Sequence, residues 1–245
     1  MKSEPDRLCG LAAVAAVFAH RPDAVLRLFY LPSRRADAGR FCAELARSRK
    51  PYREVPPEEL AKIAGTTHHG GIVAIAEPRS IVVPESLDDF PPGLLPVLDG
   101  IGNPHNLGAI ARSAAFFGCK SILLSGDPRQ AGLSDSAWRT SEGGLESLKL
   151  FYTPDMPLAL RTLGERYLTV AAVARGGVAP EALPRDRPIA LVLGNEEQGV
   201  PEASLAACAA RVTLPGSGAV ESLNVSVAAA VLMHALRVSD STTGC

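Results

Sequence analysis

Short apolar runs recur in the second half of this 245-residue chain, and most are apolar at nearly every position rather than at every second one. A continuous apolar run is typical of a strand that is buried on both faces of a parallel sheet. Segments with helical spacing separate the runs, as crossovers between parallel strands require. The predicted strands are residues 97–101, 121–124, 168–173, 189–193 and 212–214, and the predicted helices are residues 107–117, 157–165, 201–209 and 223–238. The pattern predicts an α/β domain with a mainly parallel sheet.

The first 76 residues carry a smaller pattern of alternating elements. The predicted helices are residues 11–20, 40–48 and 57–65, and the predicted strands are residues 25–31 and 71–76. Residues 77–96 then contain five prolines. Because proline lacks a backbone donor and fixes φ, we expect neither a helix nor a central strand there. The chain is thus divided into a small α/β domain over residues 1–76, a proline-rich linker over 77–95 and a larger α/β domain over 96–245.

Charge is distributed unevenly along the chain. Lys and Arg number 25 against 26 Asp and Glu, and the net charge of −1 taken alone argues against a nucleic-acid partner. Residues 1–85, however, carry +3 and residues 86–245 carry −4, and residues 34–53 hold seven basic residues against two acids. This basic segment is either a solvated helix face or a patch that follows a phosphate backbone. Its candidate RNA contacts are Arg34, Arg35, Arg47, Arg49, Lys50 and Arg53.

The cysteines and the apolar N-terminal stretch exclude several classes of protein. The five cysteines are widely spread, and no Cys-x-x-Cys pair or His/Cys cluster has the spacing of zinc ligands. We therefore predict no metal site, and reduced thiols in a cytoplasmic protein. The apolar residues 10–19 fall short of the roughly 20 that a transmembrane helix needs, and no signal-peptide cleavage site follows them. We expect no membrane partner.

A nicotinamide-dependent oxidoreductase is the first alternative for such an α/β domain. Its fingerprint, G-x-G-x-x-G, lies between the first strand and the following helix. Here that segment reads DGIGNPHNLG from Asp99, and it contains Gly100 and Gly102 but has His105 at the third glycine position. The chain also lacks the Walker phosphate loop and the G-x-S-x-G nucleophile elbow. These absences argue against a Rossmann dehydrogenase.

Three other segments follow or end predicted strands and are rich in polar residues and glycine. They read NPHNLGAIARSAAFFG from Asn103, LVLGNEEQGV from Leu191 and LPGSGAVESLNVS from Leu214. Open α/β sheets bind ligands at the carboxyl ends of their strands. We therefore expect these segments to form one ligand site.

The three segments resemble the motifs of the SpoU (TrmH-type) RNA 2'-O-ribose methyltransferases, a family of the SPOUT superfamily. The first is similar to N-x-x-G-A-I-x-R, the second to L-G-x-E-x-x-G and the third to P-x-x-G-x-x-x-S-L-N-V-S, in the family's order and over residues 96–238. Residues 8–76 resemble the L30e-like substrate-binding domain that often precedes it, although His69, Gly70 and Gly71 stand where the family often has His-Gln-Gly. The resemblance implies a deep trefoil knot and a homodimer formed through the knotted domain.

The resemblance also implies a binding site for S-adenosyl-L-methionine, which lies bent in the knot against backbone atoms. Gly194, Gly199, Gly216 and Gly218 would allow such close approach or a positive φ, and ordinary turn chemistry is the alternative explanation for Gly216. Leucines at 193, 214 and 223 would form apolar walls for the adenine. The implied cofactor-binding residues are Leu193, Gly194, Asn195, Gly199, Leu214, Pro215, Gly218, Ser222, Leu223 and Asn224.

Arg112 is the principal catalytic candidate that the resemblance implies. A guanidinium with a pKa above about 12 is a poor base, so we favour an anchor for a substrate phosphate over a base. Glu196 either accepts from a ligand or orients Arg112. Asn106 either caps the helix that carries Arg112 or belongs to the active site. Ser222 is expected as the cap of the last helix and Asn224 in its first turn, where both would contact substrate.

The sequence thus predicts transfer of a methyl group from S-adenosyl-L-methionine to a ribose 2'-hydroxyl of a structured RNA, with rRNA favoured over tRNA. The alternative is a catalytically silent RNA-binding protein on the same fold. The presence of Arg112, Glu196, Ser222 and Asn224 favours the enzyme.

Overall fold

The computed structural model describes residues 4–237 and contains two β-sheets. The first sheet has four strands in the order β1-β4-β2-β3. Strand β4 runs antiparallel to β1 and β2, whereas β2 and β3 are parallel. Its strands are β1 (Asp6–Cys9), β2 (Val25–Tyr30), β3 (Tyr52–Glu54) and β4 (Ile72–Ala76), and its helices are α1 (Leu11–His20), α2 (Arg35–Arg47) and α3 (Pro57–Ala64).

The second sheet has six strands in the order β10-β8-β9-β5-β6-β7, and every neighbouring pair is parallel. The α/β class with a mainly parallel sheet is therefore confirmed. The strands are β5 (Leu95–Asp99), β6 (Ser121–Ser125), β7 (Lys149–Thr153), β8 (Leu168–Ala172), β9 (Ile189–Gly194) and β10 (Ala210–Val212). The trefoil knot stays a prediction from the family resemblance.

Six helices cover both faces of this sheet. They are α4 (Pro104–Phe116), α5 (Asp135–Ser141), α6 (Gly144–Ser147), α7 (Met156–Leu163), α8 (Glu202–Ala207) and α9 (Val225–Leu236). Side chains of α4, α5, α6 and α9 pack with one set of strand residues, and those of α7 and α8 pack with the opposite set. This double cover explains why the strands are apolar at nearly every position. Within residues 4–237, no helix is long and apolar enough to cross a membrane.

Several predicted elements differ from the structure. Helix α2 begins at Arg35 rather than at residue 40, and its buried residues Ala38, Phe41 and Leu45 all lie on one face. Strand β3 was not predicted because it has only three residues and none of them is buried. The short elements β1, β7, α5 and α6 were missed as well. The predicted end of α9 at residue 238 lies outside the described residues.

The proline-rich segment is attached to the edge of the second sheet. Val82 forms a parallel bridge with Phe151 of β7, donating its N–H to Leu150 O at 2.9 Å and accepting from Tyr152 N at 2.9 Å. A short 3₁₀ turn follows at Leu87–Asp89. Residues 77–94 hold no α-helix and no central strand, as their proline content requires, but the expectation is wrong at residues 95–96. Leu95 and Pro96 belong to the central strand β5, in which Pro96 is in register with Leu191 of β9. The boundaries at residues 76 and 95 stay predictions.

A buried ionic network joins the two sheets. The Glu146 carboxylate on α6 is fully buried and accepts hydrogen bonds from Arg21 at 2.8–3.0 Å and from Arg79 at 3.4 Å. Arg21 also donates to Asp6 at 2.9 Å. Burial raises the pKa of the Asp6 carboxyl, an effect that hydrogen bonds from Arg79 N and Arg21 oppose. Removing one partner of such a network leaves a buried charge unpaired, so the network favours a single packing of the two sheets.

Candidate active site

The site lies where the strand order of the second sheet reverses. Strands β5 and β9 are parallel neighbours, and Asp99 at the end of β5 is in register with Gly194 at the end of β9. The chain leaves β5 toward β6 on one side and leaves β9 toward β10 on the other. A crevice for ligands forms at such a switch point, outside the carboxyl ends of the strands. The first two motif segments therefore meet here.

The Glu196 carboxylate connects these two segments. It accepts the N–H of Gly102 at 3.1 Å, the N–H of Asn103 at 3.2 Å and the side-chain amide of Asn106 at 2.8 Å. Partial burial raises the pKa of Glu196, but these hydrogen bonds outweigh it and leave the pKa below its ordinary value. Glu196 therefore acts as an ionised acceptor that clamps the loop before α4. Within this chain Glu196 does not contact Arg112, which pairs with Glu142 instead.

The third segment joins through Asn106 and Asn224. The Asn224 amide nitrogen donates to the Asn106 side-chain oxygen at 3.2 Å. The Asn224 side-chain oxygen accepts from both the N–H and the hydroxyl of Ser226, at 2.9 and 2.6 Å. A polar chain thus runs from Glu196 through Asn106 to Asn224 and connects all three motif segments.

Two predicted helix caps are corrected. The cap of α4 is Asn103, whose side-chain oxygen accepts the N–H of His105 at 2.9 Å, while Asn106 lies buried inside the helix. The cap of α9 is Asn224 rather than Ser222, which lies two residues before it and is exposed. In both cases the capping residue is the asparagine that directly precedes the first helical residue.

Gly194 is required by the hairpin that follows β9. Asn195 and Gly199 exchange backbone hydrogen bonds at 2.9 Å in both directions and fold residues 195–199 back over the strand end. A Cβ at Gly194 would lie 2.2 Å from the carbonyl carbon of Gly199 and from Val200 N. The Asn195 amide donates to Gly100 O at 2.8 Å and so fastens the hairpin to the neighbouring loop.

The other predicted glycines differ in whether the local backbone conformation requires glycine. Gly199 and Gly218 have φ values of 71° and 84°, which side chains disfavour. Gly216 has neither a positive φ nor a close neighbour. The local structure therefore gives no steric reason for a glycine at this position.

The loop after β6 supports the site and was missed from the sequence. The Gln130 side chain accepts from Gly100 N and Ile101 N at 3.2 and 3.1 Å. Arg129 forms a salt bridge with Asp127 at 2.6 Å and a hydrogen bond with Gln198 in the hairpin. The contact with Arg129 lowers the pKa of Asp127 to about 2. This loop follows an apolar run, so it could have been found from the expectation that ligand-binding loops lie at the carboxyl ends of strands.

The segment between β10 and α9 is exposed and combines apolar side chains with backbone donors. In this segment Leu214 is partly buried and Leu223 is 48% exposed, whereas the predicted third wall, Leu193 on β9, is buried. Within residues 4–237, the N–H groups of Gly216 and Gly218 have no hydrogen-bond partner. Pro215 and Ser222 are exposed as well. An apolar ring with polar edges, such as adenine, fits these features, since it needs both a wall and donors.

Arg112 lies on α4 but away from the polar chain. It is six residues after Asn106, so it points from a different side of the helix. Its guanidinium pairs with Glu142 at 2.9 Å, and both side chains are about half exposed. A Cβ at Gly144 would lie 2.9 Å from the Arg112 Cα, which shows how closely α6 approaches α4. Arg112 is therefore accessible and held by an exposed ion pair.

The predicted RNA contacts are partly neutralised by acids. Arg34 pairs with Asp37, Arg35 with Glu54, and Arg53 with Glu59. The Lys50 ammonium group donates to the backbone carbonyl oxygen of Asp23 at 2.5 Å. Among the described residues, Arg47 and Arg49 have no ion-pair partner. The described part of the chain contains no cluster of three or more side chains that could bind a metal ion.

Most of the chain matches known protein families and individual relatives. Residues 93–234 match the model of the SpoU rRNA methylase family, and residues 7–82 match that of the RNA 2'-O ribose methyltransferase substrate-binding domain. The 23S rRNA (guanosine-2'-O-)-methyltransferase RlmB of Bordetella pertussis is 33% identical over 232 residues, which cover 93% of this chain and 94% of the relative. RlmB of Nitrosomonas europaea is 32% identical over 243 residues, which cover 96% of this chain and 92% of the relative.

The fold is likewise shared with solved structures. The SpoU methyltransferase AviRb from Streptomyces viridochromogenes, solved with AdoMet, superposes with a TM-score of 0.75 at 23% identity and covers 95% of this chain and 89% of that one. The matched family models, the long alignments to RlmB proteins and the joined motif segments agree. The chain therefore belongs to the SpoU family of RNA 2'-O-ribose methyltransferases, which take the methyl group from S-adenosyl-L-methionine.

Proposed function

We propose that this protein methylates the ribose 2'-hydroxyl of a guanosine in 23S rRNA. The relatives that match along nearly their whole length are named for that reaction. The observation that carries the proposal is the polar chain from Glu196 through Asn106 to Asn224, because it assembles all three family motifs into one site. The cytoplasm is the location that fits an rRNA substrate.

The cofactor would lie between the hairpin after β9 and the segment before α9. S-adenosyl-L-methionine supplies an activated methyl group on its sulfonium. Leu214 and Leu223 would contact the adenine, with the buried Leu193 packed beneath the site, and backbone groups of the hairpin and of Gly218 would meet the polar edges of the ring. Glu196, Asn106 and Asn224 act as positioning residues, since their polar atoms are already engaged with one another. Pro215 and Ser222 complete the exposed rim.

Arg112 is proposed to anchor the substrate. Its ion pair with Glu142 is exposed, and such pairs contribute about 0–1 kcal/mol. A phosphate of the RNA can therefore replace Glu142 with little loss and bind the guanidinium bidentately. The bound Arg112 would also stabilise charge that develops on the 2'-oxygen. Arg47 and Arg49 are the basic residues best placed to contact the RNA backbone elsewhere, since neither is paired within residues 4–237.

A second copy of the chain is proposed to cover the outer face of α4 and α9. These helices pack together and expose Phe116, Val227 and Val231, with Phe116 81% exposed. Arg112 lies four residues before Phe116 and hence on the same face of α4. A partner on this face would border Arg112, so dimerisation and the anchoring role are connected.

The function is tested by methyl transfer with Arg112→Ala. Wild type should transfer labelled methyl groups from S-adenosyl-L-methionine to 23S rRNA, and mass spectrometry of digested RNA should place them on ribose. Arg112→Ala should lower kcat about 100-fold, because an electrostatic contact to the reacting group is lost. Arg161→Ala, an exposed arginine on α7, is the matched control. Binding of both cofactor and RNA without any transfer by wild type would support the silent RNA-binding alternative.

The dimer is tested by Phe116→Lys. Wild type should sediment as a dimer in analytical ultracentrifugation, and Phe116→Lys should shift it to a monomer because the buried ammonium group would be unpaired and would lie one helical turn from Arg112, which has the same charge. Methyl transfer should fall together with the dimer. Leu158→Lys changes another apolar residue, which is 54% exposed on α7, and should leave the dimer intact. A monomeric wild type would contradict this proposal.

The cofactor site is tested by Gly194→Ala. The added methyl must displace the hairpin, since it would otherwise lie 2.2 Å from Gly199. The Kd for S-adenosyl-L-methionine, measured by isothermal titration calorimetry, should rise at least about tenfold, or about 1.4 kcal/mol. Gly132→Ala, where no heavy atom lies within 4 Å of the new Cβ, should bind as wild type does. Equal affinities of the two variants would place the cofactor elsewhere.

The Glu196 clamp predicts a pH dependence. Because the folded pKa is below the ordinary value of 4.5, the clamp stabilises the fold above that value and is lost as the pH falls through the lowered pKa. In urea denaturation at neutral pH, Glu196→Gln should lower the free energy of unfolding by about 1 kcal/mol. This difference from wild type should shrink in more acidic buffer, while Glu197→Gln should match wild type throughout. A difference that stays constant with pH would refute the clamp.

A further inference from the structure

Three arginines lie on one face of the first sheet. Residues that are directly opposite on neighbouring strands present their side chains on the same face, as do residues two apart on one strand. Arg7 on β1 and Arg27 on β2 are both opposite Ile75 of β4, the strand between them. Arg53 on β3 is opposite Phe29, which is two residues after Arg27. The three side chains therefore point to the same face, which we call the arginine face.

The acids of the same strands point to the opposite face. Asp6 directly precedes Arg7 and Glu54 directly follows Arg53, and successive residues of a strand alternate between the faces. Glu54 accepts hydrogen bonds from Arg35 of α2 at 2.8 and 2.9 Å, as expected if α2 covers that opposite face. Every charged strand residue on the arginine face is thus an arginine.

Helix α3 covers only part of the arginine face. Its buried residues Leu60 and Ala64 belong to the cluster against which Phe29 packs. Arg27 is exposed and, within residues 4–237, has no ion-pair partner. Because neighbouring strands are about 4.8 Å apart, about 10 Å separates the Cα atoms of Arg7 and Arg27. The face therefore presents spaced cations with open surface between them.

Two of the three arginines are paired with exposed acids. Arg7 pairs with Asp135 at 3.5 Å, and both side chains are about 40% exposed. Arg53 pairs with Glu59 of α3, and its guanidinium carbon lies 5.9 Å from the centre of the Phe29 ring. Exposed ion pairs contribute about 0–1 kcal/mol, so a phosphate can replace either acid at little cost.

Helix α5 extends the arginine face toward the second domain. Asp135 is its first residue, and Arg139 lies one turn later on the same side of the helix. Burial raises the pKa of the Cys9 thiol at the end of β1 to about 11, and the charges of Arg139 and Arg7 oppose this shift. Arg139 therefore lies close to the arginine face and adds a fourth cation beside it.

The end of α5 contacts the first motif segment. The Thr140 hydroxyl, directly after Arg139, forms a hydrogen bond with Nδ1 of His105 at 3.1 Å. His105 is in the first turn of α4, and its N–H donates to the capping Asn103, whose own N–H donates to Glu196. A chain of contacts therefore leads from the arginine face along α5 to the candidate active site.

From this arrangement we propose that the RNA substrate lies along the arginine face and reaches the active site over α5. Arg7, Arg27 and Arg53 contact the phosphate backbone, and Arg139 continues these contacts where the RNA crosses to the second domain. Phosphate contacts orient a nucleic acid without reading its sequence, so the face aligns the RNA rather than selecting it. The proposal rests on the proposed function and adds a set of contacts on the side of the sheet opposite α2.

The salt dependence of RNA binding tests the arginine face. Because phosphate contacts do not depend on sequence, the probe is a short labelled RNA hairpin titrated against the full chain at several salt concentrations. The slope of log Kd against log salt should fall by about one contact in Arg27→Gln, and by about three when Arg7, Arg27 and Arg53 are all replaced by glutamine. Arg27→Lys should keep the wild-type slope, since the charge is retained. Arg161→Gln, at an exposed position on α7, is the matched control.

Turnover separates RNA binding from a role in the chemistry. With 23S rRNA as substrate, the triple glutamine variant should have a KM for RNA at least about tenfold above that of wild type. Its kcat should stay near the wild-type value, because contacts to remote phosphates are equally strong in the ground state and the transition state. The Kd for S-adenosyl-L-methionine should also be unchanged, which verifies that the variant is folded.

The two measurements distinguish this proposal from the proposed function. An unchanged salt slope together with an unchanged KM in the triple variant would overturn the arginine face, even where wild type methylates 23S rRNA. A reduced salt slope without any methyl transfer by wild type would support the arginine face and contradict the proposed function.

Discussion

The geometry of the active site depends on one carboxylate. Glu196 accepts three N–H donors from the loop and first turn that follow β5, although about ninety residues separate the two segments in the chain. An ionised acceptor makes stronger hydrogen bonds than a neutral one, and here it holds two backbone groups and one side chain at once. Through Asn106 the same constraint reaches Asn224 and the start of α9. The hydrogen bonds of Glu196, in the second motif segment, thus also position the third segment.

This arrangement requires a tight hairpin, which is why glycine is needed at the end of β9. Residues 195–199 fold back so closely that Gly194 has no room for a methyl group. The hairpin is held from a second direction by the loop after β6, since Arg129 contacts Gln198 and Gln130 supports Gly100. Loops from three neighbouring strands therefore support one another. Such support keeps the backbone that we propose to bind the cofactor in place before any ligand arrives.

The parallel α/β character of the second sheet was predictable, although β7 was missed, and the side-chain partners were not. Continuous apolar runs indicated parallel strands buried on both faces, and the structure shows helices on both sides. Caps are harder to predict, because asparagine occurs at both 103 and 106 and polar residues at both 222 and 224. A shift of the helix start by two or three residues exchanges the roles within each pair. The pairing of Arg112 with Glu142 rather than Glu196 depends on how α6 packs on α4, which no local pattern encodes.

One short segment connects the catalytic candidate with the first domain. Glu142 pairs with Arg112, Gly144 packs against the backbone of α4, and the buried Glu146 binds Arg21 and Arg79. Because separating these groups would leave a buried charge unpaired, the first sheet and α4 are fixed relative to each other through α6. An RNA held by the first domain would therefore meet Arg112 at a defined separation. The packing of the two domains, rather than the net charge, would then determine which ribose reaches the methyl group.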